Sequence, residues 1–283
     1  LSACSSTKQV AQQTSNVFQP IQTVIPVRPA GQKHVFQLTT PKMDVVRVGF
    51  IGLGMRGPGA VERFTYIPGV EIKALCDLHP DRVERSQKIL EKAGLPRATG
   101  YSGSEDAWKA MCERDDIDLI YIVTDWKRHA PMTVYAMEQG KHVAVEVPAA
   151  MTLEDIWNVV NTAERTQKHC MMLENCVYDF FELTTLNMLQ KGVFGEPLYA
   201  EGAYIHQLED FWESYEGDWR MEFNKHNRGD IYATHGMGPA CQALDIHRGD
   251  KMNYLVGMDS TPVSIPAFLE TKRREKMTDI QNG

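Results

Sequence analysis

At 283 residues the chain is long enough for two domains of ordinary size. Its 43% hydrophobic and 24% charged residues match a globular protein with a sizeable core. A formal net charge of -7, with no basic stripe, argues against a nucleic-acid partner, which requires concentrated Lys and Arg. No apolar run approaches the roughly 18 residues that a membrane span needs.

The first residues, Leu1-Ser2-Ala3-Cys4-Ser5-Ser6-Thr7, resemble a bacterial lipobox, in which the cysteine after a signal peptide is lipidated. That resemblance implies a lipid anchor at Cys4 and a place in the bacterial cell envelope, in the periplasm or at the outer membrane. Gln, Thr, Ser and Pro dominate the next stretch, with Pro20, Pro26, Pro29 and Pro41 interrupting any period, so residues 1–43 read as a tether. The other cysteines, Cys76, Cys112, Cys170, Cys176 and Cys241, show no CxxC or zinc-type spacing, and most of them read as small buried hydrophobes. With no HxxxH among the histidines either, no metal site is expected.

From Asp44 the pattern becomes regular. Val45 to Ile51 is an apolar, β-branched run that breaks into Gly52, Gly54 and Gly57, a GxGxxG that also contains Met55 and Arg56. Gly52 permits the tight turn, Gly54 leaves no Cβ between backbone and a pyrophosphate, and Gly57 lets the next helix pack on the strand. Phosphates would sit at that helix N-terminus. A second strand, Val70 to Cys76, ends in Asp77, at the distance expected of an acid that holds a ribose 2′-hydroxyl. Such an acid repels a 2′-phosphate, so NAD is expected over NADP. Further strands are read near 98–101, 117–123 and 142–147, with helices at Pro80 to Ala93, Ser104 to Arg114 and His129 to Gln139 between them. Strand-helix alternation without hairpin signals means a doubly wound parallel sheet of the Rossmann type over residues 44–150.

Past Pro148 the rhythm changes. Thr152 caps a helix to about Gln167, a short strand covers Cys170 to Leu173, and a helix runs from about Tyr178 to Lys191. Pro197 to His206 alternates and reads as a strand with one wet face; residues 207–232, dense in Trp, Tyr, Glu and Asp, read as a functional loop. A helix near Thr234 to His247 and a strand at Tyr254 to Gly257 follow. Residues 151–283 are therefore expected to form an α+β domain on an open, mainly antiparallel sheet. With only about two strands in hand, that sheet is expected to be incomplete at the C-terminus.

The glycine turn, Asp77 and Glu146-Val147-Pro148 together resemble the Gfo/Idh/MocA family, most members of which carry Glu-Lys-Pro at the last position. Val147 stands where their lysine faces nicotinamide and substrate. Three further blocks, Leu173 to Asp179, Gly202 to His206 and Gly229 to Pro239, backed by Ile246 to Asp250, are similar to glycoside hydrolase family 109, the NAD-dependent α-N-acetylgalactosaminidases of that superfamily.

The resemblance implies a redox-neutral hydrolysis, an exception to the usual pair of carboxylates. NAD takes a hydride from C3 of the sugar, the ketone acidifies the C2 proton, a base removes it, the C1 substituent leaves, water adds, and NADH returns the hydride. Carried over by position, Tyr178 is the candidate base at C2, and Tyr232 and His235 match the family's catalytic tyrosine and histidine. The expected cofactor-binding residues are Gly52, Gly54, Met55, Arg56, Gly57, Asp77, Glu146 and Asn175. The expected partner is a glycan with terminal α-N-acetylgalactosamine; a homo-oligomer is a further expectation. An ordinary NAD-dependent sugar dehydrogenase and a non-catalytic NAD-binding scaffold are the alternatives.

Overall fold

In the computed structural model, residues 25–208, 211, 218–227, 230–261 and 263–282 are described. Cys4 and most of the expected tether lie outside them. The chain divides into two units, Leu1–Gly31 and Gln32–Gly283. The described part of the first, residues 25–31, has no regular structure beyond a turn at Gly31. Among the described residues, the second unit contains the sheet and all regular elements.

Six strands form one sheet in the order β3-β2-β1-β4-β5-β6. They are β1 (Val46–Ile51), β2 (Val70–Cys76), β3 (Thr99–Tyr101), β4 (Leu119–Ile122), β5 (His142–Val145) and β6 (Cys170–Met172), and every pairing is parallel. The strand order reverses between β1 and β4, which opens a crevice at their carboxyl ends, where a doubly wound sheet binds ligands. The helices α1 (Gly57–Phe64), α2 (Pro80–Lys92), α3 (Ala107–Cys112), α4 (Trp126–Glu138) and α5 (Leu153–Thr166) link the strands.

Burial on both faces explains the near-continuous apolar strands. Phe50, Leu75, Tyr121 and Ala144 pack with Ala60, Val61 and Leu90 on one face. The alternate residues Ile51, Ala74, Ile120, Ile122 and Val143 pack with Met111, Ala136 and Met137 on the other. At the amino end of the sheet, the Asp118 carboxylate accepts the Arg47 backbone N–H at 2.9 Å and its guanidinium at 2.8 and 2.6 Å, pinning β1 beside β4. Arg47 holds the Asp118 carboxyl below its usual range.

Two departures concern this layer. The expected boundary at residue 150 falls before α5 and β6, yet β6 pairs with β5 and completes the sheet. The arm expected as a tether up to residue 43 is held against α5 at its inner end: Gln32 Nε2 donates to Asn161 Oδ1 and Glu164 Oε2, and Gln167 Nε2 donates to the Lys33 carbonyl. Helix ends also differ. α4 begins at Trp126, three residues before the expected His129, because Pro131, which favours a first turn, is tolerated one turn inside. α5 starts as expected, with Thr152 Oγ1 accepting the Asp155 N–H at 3.0 Å.

After β6 come a 3₁₀ turn (Cys176–Tyr178), α6 (Phe180–Gln190), α7 (Trp219–His226), α8 (Ala233–Ala243) and α9 (Ser264–Asn282). Tyr178 therefore ends a 3₁₀ turn and does not begin the helix. The strands expected at Pro197 to His206 and Tyr254 to Gly257 are absent among the described residues, and with them the open antiparallel sheet. Period-two alternation marks a chain able to bury one face, but a strand also needs a neighbouring edge. Leu198, Tyr199, Ile205 and Tyr254 are 92%, 77%, 86% and 83% exposed instead. The charged C-terminal stretch, for which the sequence predicts no element, forms α9 with pairs such as Arg274 to Glu270 one turn apart.

Candidate functional site

The glycine turn follows from local sterics. Gly52 has φ +95°, and a Cβ there would lie 2.6 Å from the Val123 carbonyl oxygen. Gly57 approaches the turn so closely that its Cβ would lie 2.2 Å from the Gly52 oxygen. Gly54 is different: the nearest atom to its Cβ is Arg82 Nη1 at 3.6 Å, leaving room above the backbone. The turn is braced from outside, since Arg85 Nη2 donates to the Leu53 and Gly54 carbonyls at 2.7 and 3.0 Å. Arg85 has no local signal in the sequence, because it acts from α2 on a turn 31 residues away.

Asp77 is buried at the end of β2 and ties the turn to it. Its Oδ2 accepts the Leu53 N–H at 2.7 Å, its Oδ1 accepts the His79 N–H at 2.9 Å, and Arg82 Nη1 stands 3.5 Å from Oδ1. A carboxylate has about four acceptor directions, so these contacts leave capacity for a hydroxyl donor. Glu146, buried after β5, accepts the Tyr121 O–H at 3.1 Å and lies 3.8 Å from Arg56 Nε. Burial and the Glu146 charge push the Tyr121 phenol well up, so Tyr121 remains a donor.

These groups open onto one cleft of about 1390 Å³, larger than the roughly 300–1,000 Å³ of a usual single-ligand pocket. Gly52, Gly54, Met55, Arg56 and Asp77 line it from the Rossmann side. Asn175, Tyr204, Tyr232 and His235 line it from the segments that follow. Gly57, buried under the turn, acts through packing. Val147, 6% exposed, also lines the cleft, so no ammonium reaches it from that position.

Glycines bring the second group together. A Cβ on Gly202 would meet the Gly236 oxygen at 2.3 Å, so the unpaired segment 201–206 lies directly on the first turns of α8. That contact sets the Tyr204 ring 4.5 Å from the His235 ring and 5.7 Å from Tyr232 (centroid distances). Tyr232, at the N-cap of α8, stacks on His235 at 5.5 Å and 18°, and meets Trp126 edge to face at 5.3 Å. The expected Tyr232-His235 pair is thus together in the cleft. Tyr204, from the Gly202 to His206 block, and Trp126 join it, although the sequence assigns neither a role in the site. Tyr204 lies in an apparent strand, while Trp126 has no local signal.

Tyr178 stands elsewhere. It is 57% exposed and lines an adjoining cavity of about 590 Å³, which shares Met55, Arg56, Glu146 and Asn175 with the cleft. His129 is buried under the cleft, where its neutral ring can donate to only one of two carbonyl oxygens. Its ring nitrogens lie 2.8 and 3.1 Å from the Pro148 and Thr124 carbonyl oxygens. It bolts the Val147-Pro148 loop to the end of β4. Glu174, Cys176 and His235 offer ligand atoms within 4.8 Å of one another, a cluster that linear spacing does not reveal.

Two family models match the chain in succession. "Oxidoreductase family, NAD-binding Rossmann fold" covers residues 46–174, and "Glycosyl hydrolase 109, C-terminal domain" covers 178–281. Glycosyl hydrolase family 109 protein 1 of Bacteroides fragilis is 69% identical over 269 residues, spanning 95% of this chain and 58% of that protein. Over nearly its whole length the chain is similar to members of glycosyl hydrolase family 109. Its counterpart in Bacteroides thetaiotaomicron is 66% identical over 273 residues, spanning 96% of this chain and 58% of the relative. The chain thus spans a little over half the length of these family members. The solved myo-inositol 2-dehydrogenase from Lactobacillus plantarum shares the fold, with a TM-score of 0.57 and 22% identity over 72% of this chain and 57% of that one.

The chain carries an NAD-binding Rossmann domain, and its residues fit that cofactor. The room above Gly54, the turn closed by Gly52 and Gly57, and the buried acid at the end of β2 provide a place for pyrophosphate and ribose.

Proposed function

We propose that this chain is an NAD-dependent glycosidase that removes terminal α-N-acetylgalactosamine with no net redox change. The observation that carries the reading is one cleft lined both by the Gly52 to Arg56 cradle and by Tyr232 and His235, with Val147 in place of the superfamily's lysine. Bound there, NAD supplies a hydride acceptor and donor at the sugar.

The protein's own groups supply the rest. The glycine turn and Asp77 hold the dinucleotide, while Glu146, fixed by Tyr121 and Arg56, and Asn175 flank the cofactor and sugar. Tyr232 and His235 bind and polarise the sugar hydroxyl that is oxidised, with His235 taking its proton. The C2 proton is assigned to Tyr178, on the resemblance and on the wall its cavity shares with the cleft. In Tyr178→Phe the exchange of the C2 proton with solvent is expected to stop; exchange at the unaltered rate would remove Tyr178 from the step.

An aryl α-N-acetylgalactosaminide is supplied without added NAD, and phenol release and NADH absorbance are followed together. Phenol without accumulating NADH is the expected result. NADH in step with product would mean a dehydrogenase, and neither signal would mean a non-catalytic NAD-binding chain. We also propose that Cys4 carries a lipid that holds the protein at the bacterial envelope. A mass for the native protein with an unmodified Cys4 would refute that.

A further inference from the structure

Glu174 follows β6 and is buried at 6% exposure. Its Oε2 accepts the Val177 N–H at 2.9 Å, and its Oε1 accepts the Cys176 N–H at 3.2 Å and contacts His235 Nδ1 directly. The His235 side chain is 5% exposed. Among the described residues no lysine or arginine makes an ion pair with Glu174. The helix that carries His235 is brought onto this carboxylate by Gly238, whose Cβ would meet Val177 Cγ1 at 2.8 Å and Glu174 Oε2 at 3.2 Å. A side chain there would push α8 off the 3₁₀ turn.

We propose that Glu174 is the positioning residue for His235, fixing its ring as the Nδ1–H tautomer. An ionised carboxylate can only accept, and both of its oxygens already take backbone N–H groups, so the contact with Nδ1 is satisfied only if that nitrogen donates. The neutral ring then carries its lone pair on Nε2, the nitrogen not held by Glu174, in a residue that lines the cleft. When Nε2 takes a proton from a sugar hydroxyl, the buried carboxylate stabilises the imidazolium without moving. This role rests on the reading of His235 as the group that accepts that proton.

A glutamine cannot replace the carboxylate here. If its oxygen faces Val177, its NH₂ meets the Cys176 N–H and forces His235 Nδ1 to accept. If its oxygen faces Cys176 and His235, its NH₂ meets the Val177 N–H.

The test is the ring ¹⁵N signature of His235 in the full chain, free of NAD and substrate, identified by its loss in His235→Gln. The wild type is expected to show a protonated Nδ1 and an unprotonated Nε2. Glu174→Gln is expected to shift the ring toward the other tautomer and to lower kcat roughly tenfold or more, up to about 10⁴-fold, with KM little changed. An Nε2–H ring in the wild type would overturn the proposal, and so would a tautomer unaffected by Glu174→Gln. Stoichiometric metal in the purified chain that disappears in Cys176→Ser would also overturn it, because Nδ1 would then be a ligand. Should Glu174→Gln fail to fold, the wild-type signature still decides. A wild-type chain that shows the Nδ1–H ring yet releases no phenol supports the positioning role and defeats the glycosidase reading instead.

Discussion

Gly54→Ala separates binding from folding in the glycine turn. The new methyl would lie 3.6 Å from Arg82 Nη1, ordinary contact with the end of a flexible side chain, so thermal stability is expected to change by about 0.5 kcal/mol or less. The same methyl fills the room where a pyrophosphate meets the backbone. A tenfold to hundredfold weaker affinity for NAD follows, about 1.4–2.8 kcal/mol. Gly57→Ala is the internal control. Its methyl would sit 2.2 Å from a backbone oxygen that cannot rotate away, so overpacking of about 1–3 kcal/mol is expected. At roughly 2–4 °C per kcal/mol, that is a visible fall in Tm. Calorimetric titration with NAD and thermal unfolding of both variants give the answer. Gly54→Ala binding NAD as tightly as the wild type, or losing as much stability as Gly57→Ala, would refute the assignment of separate roles.

Thr152→Ala removes the side-chain acceptor that caps the first turn of α5, and is expected to lower stability by about 1 kcal/mol in denaturant titration. Burial lowers the pKa of His129, against opposing contributions from the Pro148 and Thr124 carbonyls, Asp125 and Glu146, and burial lowers that of His142 as well. Both rings bind a proton more readily when unfolded. Their contribution to stability is present above about pH 6.5 and lost as the pH falls below it. Tm is therefore expected to drop between pH 7 and pH 5, and less steeply in His129→Gln; an equal slope in that variant would exclude His129 as a source. The buried thiols Cys76 and Cys112 are pushed up to about 12 by burial, so a thiol reagent at pH 8 should label them only after unfolding.

Much of the Rossmann half is legible in the sequence because its causes are local. A strand buried on both faces is apolar throughout, a turn that needs φ +95° needs glycine, and Thr152 sits three residues before the N–H it caps. The second half resists because its causes are not local. The Glu174 to His235 contact spans 61 residues, and Tyr204 reaches the site only because Gly202 and Gly236 let two backbones touch. Alternation in Pro197 to His206 reports which side chains could share a face, but it does not report whether an edge is there to pair with. Resemblance locates Tyr232 and His235, where spacing alone does not say what surrounds them. Tyr178, located in the same way, stands in the adjoining cavity.

Hydrolysis in D₂O tests redox-neutral elimination most directly. The chain is incubated with an aryl α-N-acetylgalactosaminide, and the released sugar is examined by mass and by proton NMR at C2. Solvent deuterium at C2, with phenol released and no net NADH formed, is the predicted result. Released sugar that keeps its original hydrogen at C2 would mean that the glycosidic bond breaks by direct displacement, and would contradict a catalytic role for the NAD cradle.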